Sequence, residues 1–154
     1  MPLADLLAPD AVFPSLRASS KKQALQELAQ HAAVLINRDA REIFETLLQR
    51  ERLGSTGVGS GIAIPHGKLP KLDKLFGAFA RLEKPIDFEA LDGEPVDLVF
   101  LLLAPEAAGA DHLKALARVA RMLRDPDIAE KLRASRDARS IHTLLTAASA
   151  SDAA

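Results

Sequence analysis

The chain has 154 residues, 48% of them hydrophobic and 27% charged, with a formal net charge of −1 and no cysteine. That length is enough for one domain with a proper core, and the composition is that of an ordinary soluble globular protein. The near-balanced charge excludes the basic footprint expected for nucleic acid or an anionic membrane surface. The lack of cysteine excludes disulfides, thiolate zinc sites and thiol nucleophiles together.

Taken in order, the first residues lack a basic segment followed by an apolar core, so no signal peptide is expected. Leu3, Leu6 and Leu7 give a short helical pattern, and an extended piece follows around Val12 and Phe13, punctuated by Pro9 and Pro14. Ser20-Lys21-Lys22-Gln23 has the form of a capping box. Behind it Leu25, Leu28, Ala29, Ala32 and Ile36 recur at helical spacing as far as a stop at Asn37. His31 falls at the edge of that stripe and reads as a surface or boundary residue. Asp39 predicts the cap of a second helix, with Glu42 as its capping partner and Ile43, Phe44, Leu47 and Leu48 as its buried face. Arg50 and Arg52 lie in its last turns, where cations suit the negative helix end.

Leu75–Leu82 reads as a strand, and Pro85–Pro95 as a connection with a turn at Asp92-Gly93. Val96–Leu103 is almost unbroken in its apolarity, as in a strand covered on both faces. The longest apolar run, Leu98 to Pro105, is too short to cross a bilayer, so no membrane insertion is expected and the cytoplasm is the default location. Asp111 predicts the cap of a third helix, with His112 in the first turn and Leu113, Leu116, Ala117, Ala120 and Leu123 as the buried stripe; His112 shares a face with Leu116, Val119 and Leu123, so its ring leans toward the sheet. After the Asp125-Pro126-Asp127 break, two shorter helices are expected, Ile128–Arg133 and Ala138–Leu145. His142 lies in the second of these and reads as solvated. Residues 1–146 form the expected domain, an α/β three-layer unit with a central mixed sheet flanked by helices. Residues 147–154 are expected to be a disordered tail.

The most informative stretch is Arg50–Lys68, which passes from a charged helix end through Gly54, Gly57, Gly59 and Gly61 into Ile62-Ala63-Ile64-Pro65-His66-Gly67-Lys68. It is not a P-loop, because Gly61 and Gly67 are too far apart and Leu69 follows Lys68. Nor is it a dinucleotide fingerprint, because its glycines follow a helix and precede a strand. Pro65 fixes the backbone before the histidine, and Gly67 permits close approach after it. His66 is thereby presented at what reads as the carboxyl end of a strand, the edge at which α/β sheets bind ligands.

Four ordered words carry a resemblance: Arg50-Glu51-Arg52-Leu53, Ser55-Thr56-Gly57, Gly61 through Lys68, and Ala104-Pro105-Glu106 with His112-Leu113-Lys114. Over residues 3–146 the chain resembles the enzyme IIA domains of the phosphotransferase system, mannitol/fructose type, and in particular their nitrogen-regulatory branch. The resemblance implies the same three-layer fold. It also implies a phosphohistidine intermediate on the Nε2 (tele) nitrogen of His66, with His112 and Arg50 as the other active-site residues. By the same analogy the phosphoryl group comes from phosphoenolpyruvate through enzyme I-Ntr and the HPr-like carrier NPr, and unidentified target proteins are regulated. Such a protein is a phosphotransferase component rather than a stand-alone metabolic enzyme.

The chemistry suits these residues. A neutral imidazole is the nucleophile at ordinary pH, and positioned donors stabilise the charge on the transferring group. Arg50 offers a guanidinium that never deprotonates, and His112 a ring N–H beside a helix N-terminus. Ser55, Thr56 and Gly57 are the candidates for lining the phosphate path. No cofactor is required when the donor is itself a phosphohistidine, and His66 with His112 falls short of the three or four ligands of a zinc site. The alternatives are a sugar-specific enzyme IIA serving a transporter's IIB domain and a regulatory module that acts by docking alone.

Overall fold

The computed structural model describes residues 2–153, and the caps read from the sequence set where its first two α-helices begin. After two 3-10 turns, Leu3–Asp5 and Pro9–Ala11, strand β1 spans Val12–Leu16. Helix α1 spans Lys21–Ile36, with the Ser20 side chain accepting the Gln23 N–H and Asn37 closing it in a left-handed conformation. The Gln23 side chain reaches back to Ser19 rather than to Ser20, so the box closes one residue early. Helix α2 spans Ala40–Arg52 and is capped by Asp39, which accepts the Arg41 N–H. The expected partner Glu42 is instead held by the Arg38 guanidinium at 2.8 Å, an ion pair one helical turn back.

Among the described residues six strands form one mixed sheet. Strands β2 (Gly57–Gly59), β3 (Ile62–Ala63) and β4 (His66–Leu69) are short, whereas β5 (Phe76–Ile86) and β6 (Val96–Pro105) are long. The order is β1-β5-β6-β3-β2, with β4 also on β6; β1 runs parallel to β5, and β3 and β4 run parallel to β6. Strand β5 continues past the expected end at Leu82 and through Pro85. The β5–β6 register shifts between Arg81 and Ile86, where a residue lacking an N–H is tolerated. From Leu98 to Ala104 every residue of β6 is buried, as befits a central strand covered on both faces.

Helices α1 and α2 pack together, against β5 and β4 respectively. Helices α3 (Ala110–Arg124), α4 (Pro126–Ala134) and α5 (Ala138–Ala153) form a second group, with α3 against β6 and α5 against β1. The architecture is therefore the expected one, but two local readings of α3 change. Asp111 lies inside the helix, whose N-cap is Gly109 with a positive φ of 54° and no side-chain bond. The buried stripe is His112, Ala115, Val119, Met122 and Leu123, while Leu113 is 68% exposed. Helix α5 extends beyond the expected end at Leu145 to Ala153, across most of the segment read as a tail, and Ala154 lies outside the described residues.

Candidate active site

Strands β3 and β4 lie end to end along one side of β6. Ile62 pairs with Leu98 and His66 with Leu102, so the register is kept across the Ile64-Pro65 interruption. Across that gap the Pro65 carbonyl still accepts the Leu102 N–H at 3.0 Å, while the Ile64 N–H turns to the Thr56 carbonyl. His66 therefore opens β4 instead of ending a strand, which corrects the sequence reading. The difference arises because the ladder partner, β6, lies far away in sequence.

Gly67 fixes what stands over the histidine. A Cβ at this position would lie 2.6 Å from Thr46 Cγ2, so only glycine allows α2 this close to β4. Arg50 is one helical turn beyond Thr46, on the same face. The close approach thus carries Arg50 to His66, where its Nε–H donates to His66 Nε2 at 3.2 Å. A second donor, Nη1, bonds the Gly54 carbonyl at 3.0 Å and anchors the guanidinium to the turn after α2.

The other ring nitrogen, Nδ1, is 2.8 Å from the Ile64 carbonyl. A carbonyl only accepts, so Nδ1 carries the proton and Nε2 keeps its lone pair. Burial holds the His66 pKa below 6.5; the Arg50 guanidinium acts in the same direction, against the Ile64 carbonyl and the Glu51 carboxylate. His112, third residue of α3, is 6% exposed and its Nε2 has no hydrogen-bond partner. Its ring stands edge-on to that of His66, with centroids 5.6 Å apart. Its pKa is lowered chiefly by burial, then by the positive potentials of His66 and Lys68. The site is thus two neutral imidazoles, one whose lone pair accepts from Arg50 and one with an unsatisfied nitrogen, beside an anchored guanidinium.

The three principal candidates of the sequence, His66, His112 and Arg50, meet here. The candidates for the phosphate path have other partners. Ser55 Oγ donates to the Phe88 carbonyl at 2.7 Å, Thr56 bonds Glu51 through both its N–H and its hydroxyl, and the Gly57 carbonyl accepts the Leu91 N–H. Sequence reasoning passed over Glu51, which is buried, and the Ile64 carbonyl. Glu51 was visible as a carboxylate at the buried period of α2, after Ile43 and Leu47, whereas a main-chain acceptor carries no sequence signal. His31 and His142 lie outside the site. His31 stacks on Phe13 at a centroid distance of 4.2 Å. His142, read as solvated and without a partner, is in fact half-buried and bonds the Leu7 carbonyl at 2.8 Å. Among the described residues no group of three or more His, Asp or Glu is placed to hold a metal ion, and no helix is long and apolar enough to cross a membrane.

The family model described as "Phosphoenolpyruvate-dependent sugar phosphotransferase system, EIIA 2" matches residues 5–148. A nitrogen regulatory protein of Bradyrhizobium diazoefficiens is 70% identical over 145 residues, covering 94% of this chain and 95% of that protein. One from Pseudomonas aeruginosa is 42% identical, covering 93% and 94%. The crystal structure of nitrogen regulatory protein IIA-Ntr from Neisseria meningitidis superposes with a TM-score of 0.89 at 35% identity, over 94% of this chain and 99% of that one. With the motif words distributed along the whole domain and the two histidines and the arginine gathered at one end of β4, this chain belongs to the phosphotransferase-system EIIA 2 family, in its nitrogen-regulatory branch.

Proposed function

We propose that the protein is a cytoplasmic regulatory phosphocarrier that accepts a phosphoryl group on His66 Nε2 from an HPr-like protein of the NPr kind, itself charged from phosphoenolpyruvate by enzyme I-Ntr. The observation that carries this reading is the His66 ring itself. Its proton is held on Nδ1 by the Ile64 carbonyl, and its nucleophilic lone pair lies beside Arg50. In the transfer, Nε2 forms a bond to phosphorus while the phosphorus–nitrogen bond of the donor phosphohistidine breaks, and the departing nitrogen keeps the electron pair. No proton has to leave Nε2, because none is there. The His66 ring retains its Nδ1–H and takes on the positive charge.

The surroundings suit that step. When Nε2 becomes bonded to phosphorus it no longer accepts from Arg50, and the guanidinium is left to donate to the arriving oxygens. The unsatisfied His112 Nε2 supplies a second donor once its tautomer places a proton there; a buried polar atom without a partner is otherwise unfavourable by about 1–3 kcal/mol. The relatives named nitrogen regulatory proteins support the regulatory reading over sugar transport.

The test is to incubate the pure protein with phosphoenolpyruvate, enzyme I-Ntr and NPr, and to map the phosphohistidine. Label on His66, lost in His66→Ala with the fold intact, is the expected result. Phosphate on no histidine would leave a docking module, and onward transfer to a sugar IIB domain at comparable rate would favour the transport reading.

A further inference from the structure

Behind the site lies a charged group that the transfer itself does not touch. Glu51 follows Arg50 in α2, and its side chain is only 3% exposed. Its carboxylate has three donors. Oε1 accepts the Thr56 N–H at 3.0 Å and pairs with Lys21 Nζ at 2.9 Å, and Oε2 accepts the Thr56 hydroxyl. Lys21 is held in turn, 5.1 Å from the centre of the Phe88 ring and 3.6 Å from a Glu89 oxygen.

From this carboxylate a continuous chain of bonds leads to the nucleophile. The Thr56 carbonyl accepts the Ile64 N–H at 3.0 Å, and the Ile64 carbonyl accepts the His66 Nδ1–H at 2.8 Å. The other face of the site is tied to the same residue. The Glu51 carbonyl accepts the Gly54 N–H, and the Gly54 carbonyl receives Arg50 Nη1. Glu51 therefore fixes the loop on which both the nucleophile and its guanidinium partner depend.

We propose that Glu51 is a positioning residue for phosphoryl transfer: through Thr56 and Ile64 its buried carboxylate holds the His66 ring in the tautomer and orientation that free Nε2, and it offsets the positive charge that the ring acquires. This rests on the reading of His66 as the acceptor. A buried negative charge acts strongly at short range because little water screens it. Its sign is the right one, since the ring changes from neutral to cationic during transfer while the Arg50 charge opposes that change. Lys21 moderates the carboxylate and keeps it from being an unpaired buried charge.

The experiment uses the full chain with nitrogen-15-labelled histidine and compares wild type, Glu51→Gln and Lys21→Gln. The His66 ring-nitrogen shifts report the tautomer, their pH dependence gives the titration midpoint, and phosphorylated NPr gives the transfer rate. In wild type His66 should be the Nδ1–H form alone. Glu51→Gln should mix the tautomers, lower the midpoint and slow transfer roughly 10–100-fold, the scale on which outer-shell hydrogen-bond partners act. Lys21→Gln should move the midpoint the opposite way, upward, with the tautomer kept. A folded Glu51→Gln protein with unchanged ring signals overturns the proposal even if transfer is slower, because a merely loosened fold would also slow transfer. If Glu51→Gln does not fold, an unchanged midpoint in Lys21→Gln overturns it instead. Absence of label on wild-type His66 would remove the acceptor reading, and the ring signals would still decide the role of Glu51.

Discussion

His66 Nε2 keeps its lone pair because the Ile64 carbonyl holds the proton on the other side of the ring, and this gives the site a definite pH dependence. Burial holds the pKa of both candidate histidines below the ordinary 6.5, so both are mainly neutral at neutral pH and above. Transfer to His66 should be flat with pH above about 6.5 and should fall only as pH drops through the lowered pKa, where the nucleophile is lost to protonation. Stability carries the same sign. The unfolded chain takes up these protons at a higher pH than the folded one, so the histidine contribution is complete above about 6.5 and is lost as pH falls through the folded values. Melting midpoints between pH 8 and pH 5 check this, and a His66→Ala/His112→Ala double variant should flatten the acid limb. Arg50→Ala and His112→Ala should each slow phosphorylation on the order of 10²–10³-fold, as for the loss of one preorganised donor. Quench-flow labelling with phosphorylated NPr measures both, and wild-type rates would confine these residues to structural roles. His66 was legible in the sequence from its neighbours Pro65 and Gly67, whereas Arg50 and His112 were singled out by the family resemblance, since a cation at a helix end and a histidine in a first turn read equally well as structural. The bond that selects the tautomer was not legible, since any residue at position 64 would present the same carbonyl.

At the scale of the elements, the site depends on how closely α2 approaches β4. Gly67→Ala places a methyl group 2.6 Å from Thr46 Cγ2, a clash that pushes Thr46, and with it α2, outward in the expected outcome. The expected loss of stability is about 1–3 kcal/mol, typical of overpacking. The larger consequence should be for transfer, because Arg50 moves with the helix. Leu101→Ala is the contrast. Fully buried on β6, it should lose about 2–5 kcal/mol yet leave the rate of the folded protein near wild type. Denaturant melts beside phosphorylation rates separate the two, and a Gly67→Ala protein that transfers normally would show that this approach does not set the Arg50 position. Local signals such as the Ser20 cap, the Asn37 stop and the apolar run of β6 were readable because their causes lie within a few residues. The division between β3 and β4 was not, since it is defined by pairing with Leu98 and Leu102. In α3 the apolar residues alone placed Leu113 in the buried stripe, where it is exposed, while His112 was correctly read as facing the sheet with Val119 and Leu123.

For the whole molecule, the proposed phosphorylation of His66 would be a local change that is large against the total charge. The chain carries a net −1, and a phosphoryl group adds about −1.5 to −2 at one half-buried residue at the end of a strand. Strand β4 lies on the central strand β6, whose residues from Leu98 to Ala104 are buried, so the frame around His66 has little freedom to rearrange. The new charge should therefore be read as a change of surface rather than of fold. Under the proposed function a donor would dock over His66, and a regulated partner reading the same face would meet either a neutral imidazole beside Arg50 or a dianion that engages Arg50. Such a partner should bind one state and be repelled by the other, with the two states differing by no more than side-chain movements around His66 and Arg50. His66→Asp should imitate the charged state only in part, because a carboxylate has less charge and fewer oxygens. The measurement compares unmodified, phosphorylated and His66→Ala protein as baits for partners from the native cell extract, followed by affinities for each partner recovered. Phosphorylated and unmodified baits should differ, with His66→Ala grouping with the unmodified protein even after exposure to the donor system. Equal recovery and equal affinity across the three baits would mean that phosphorylation is not the switch, and the protein would then be a carrier of phosphate without a regulatory output at this face.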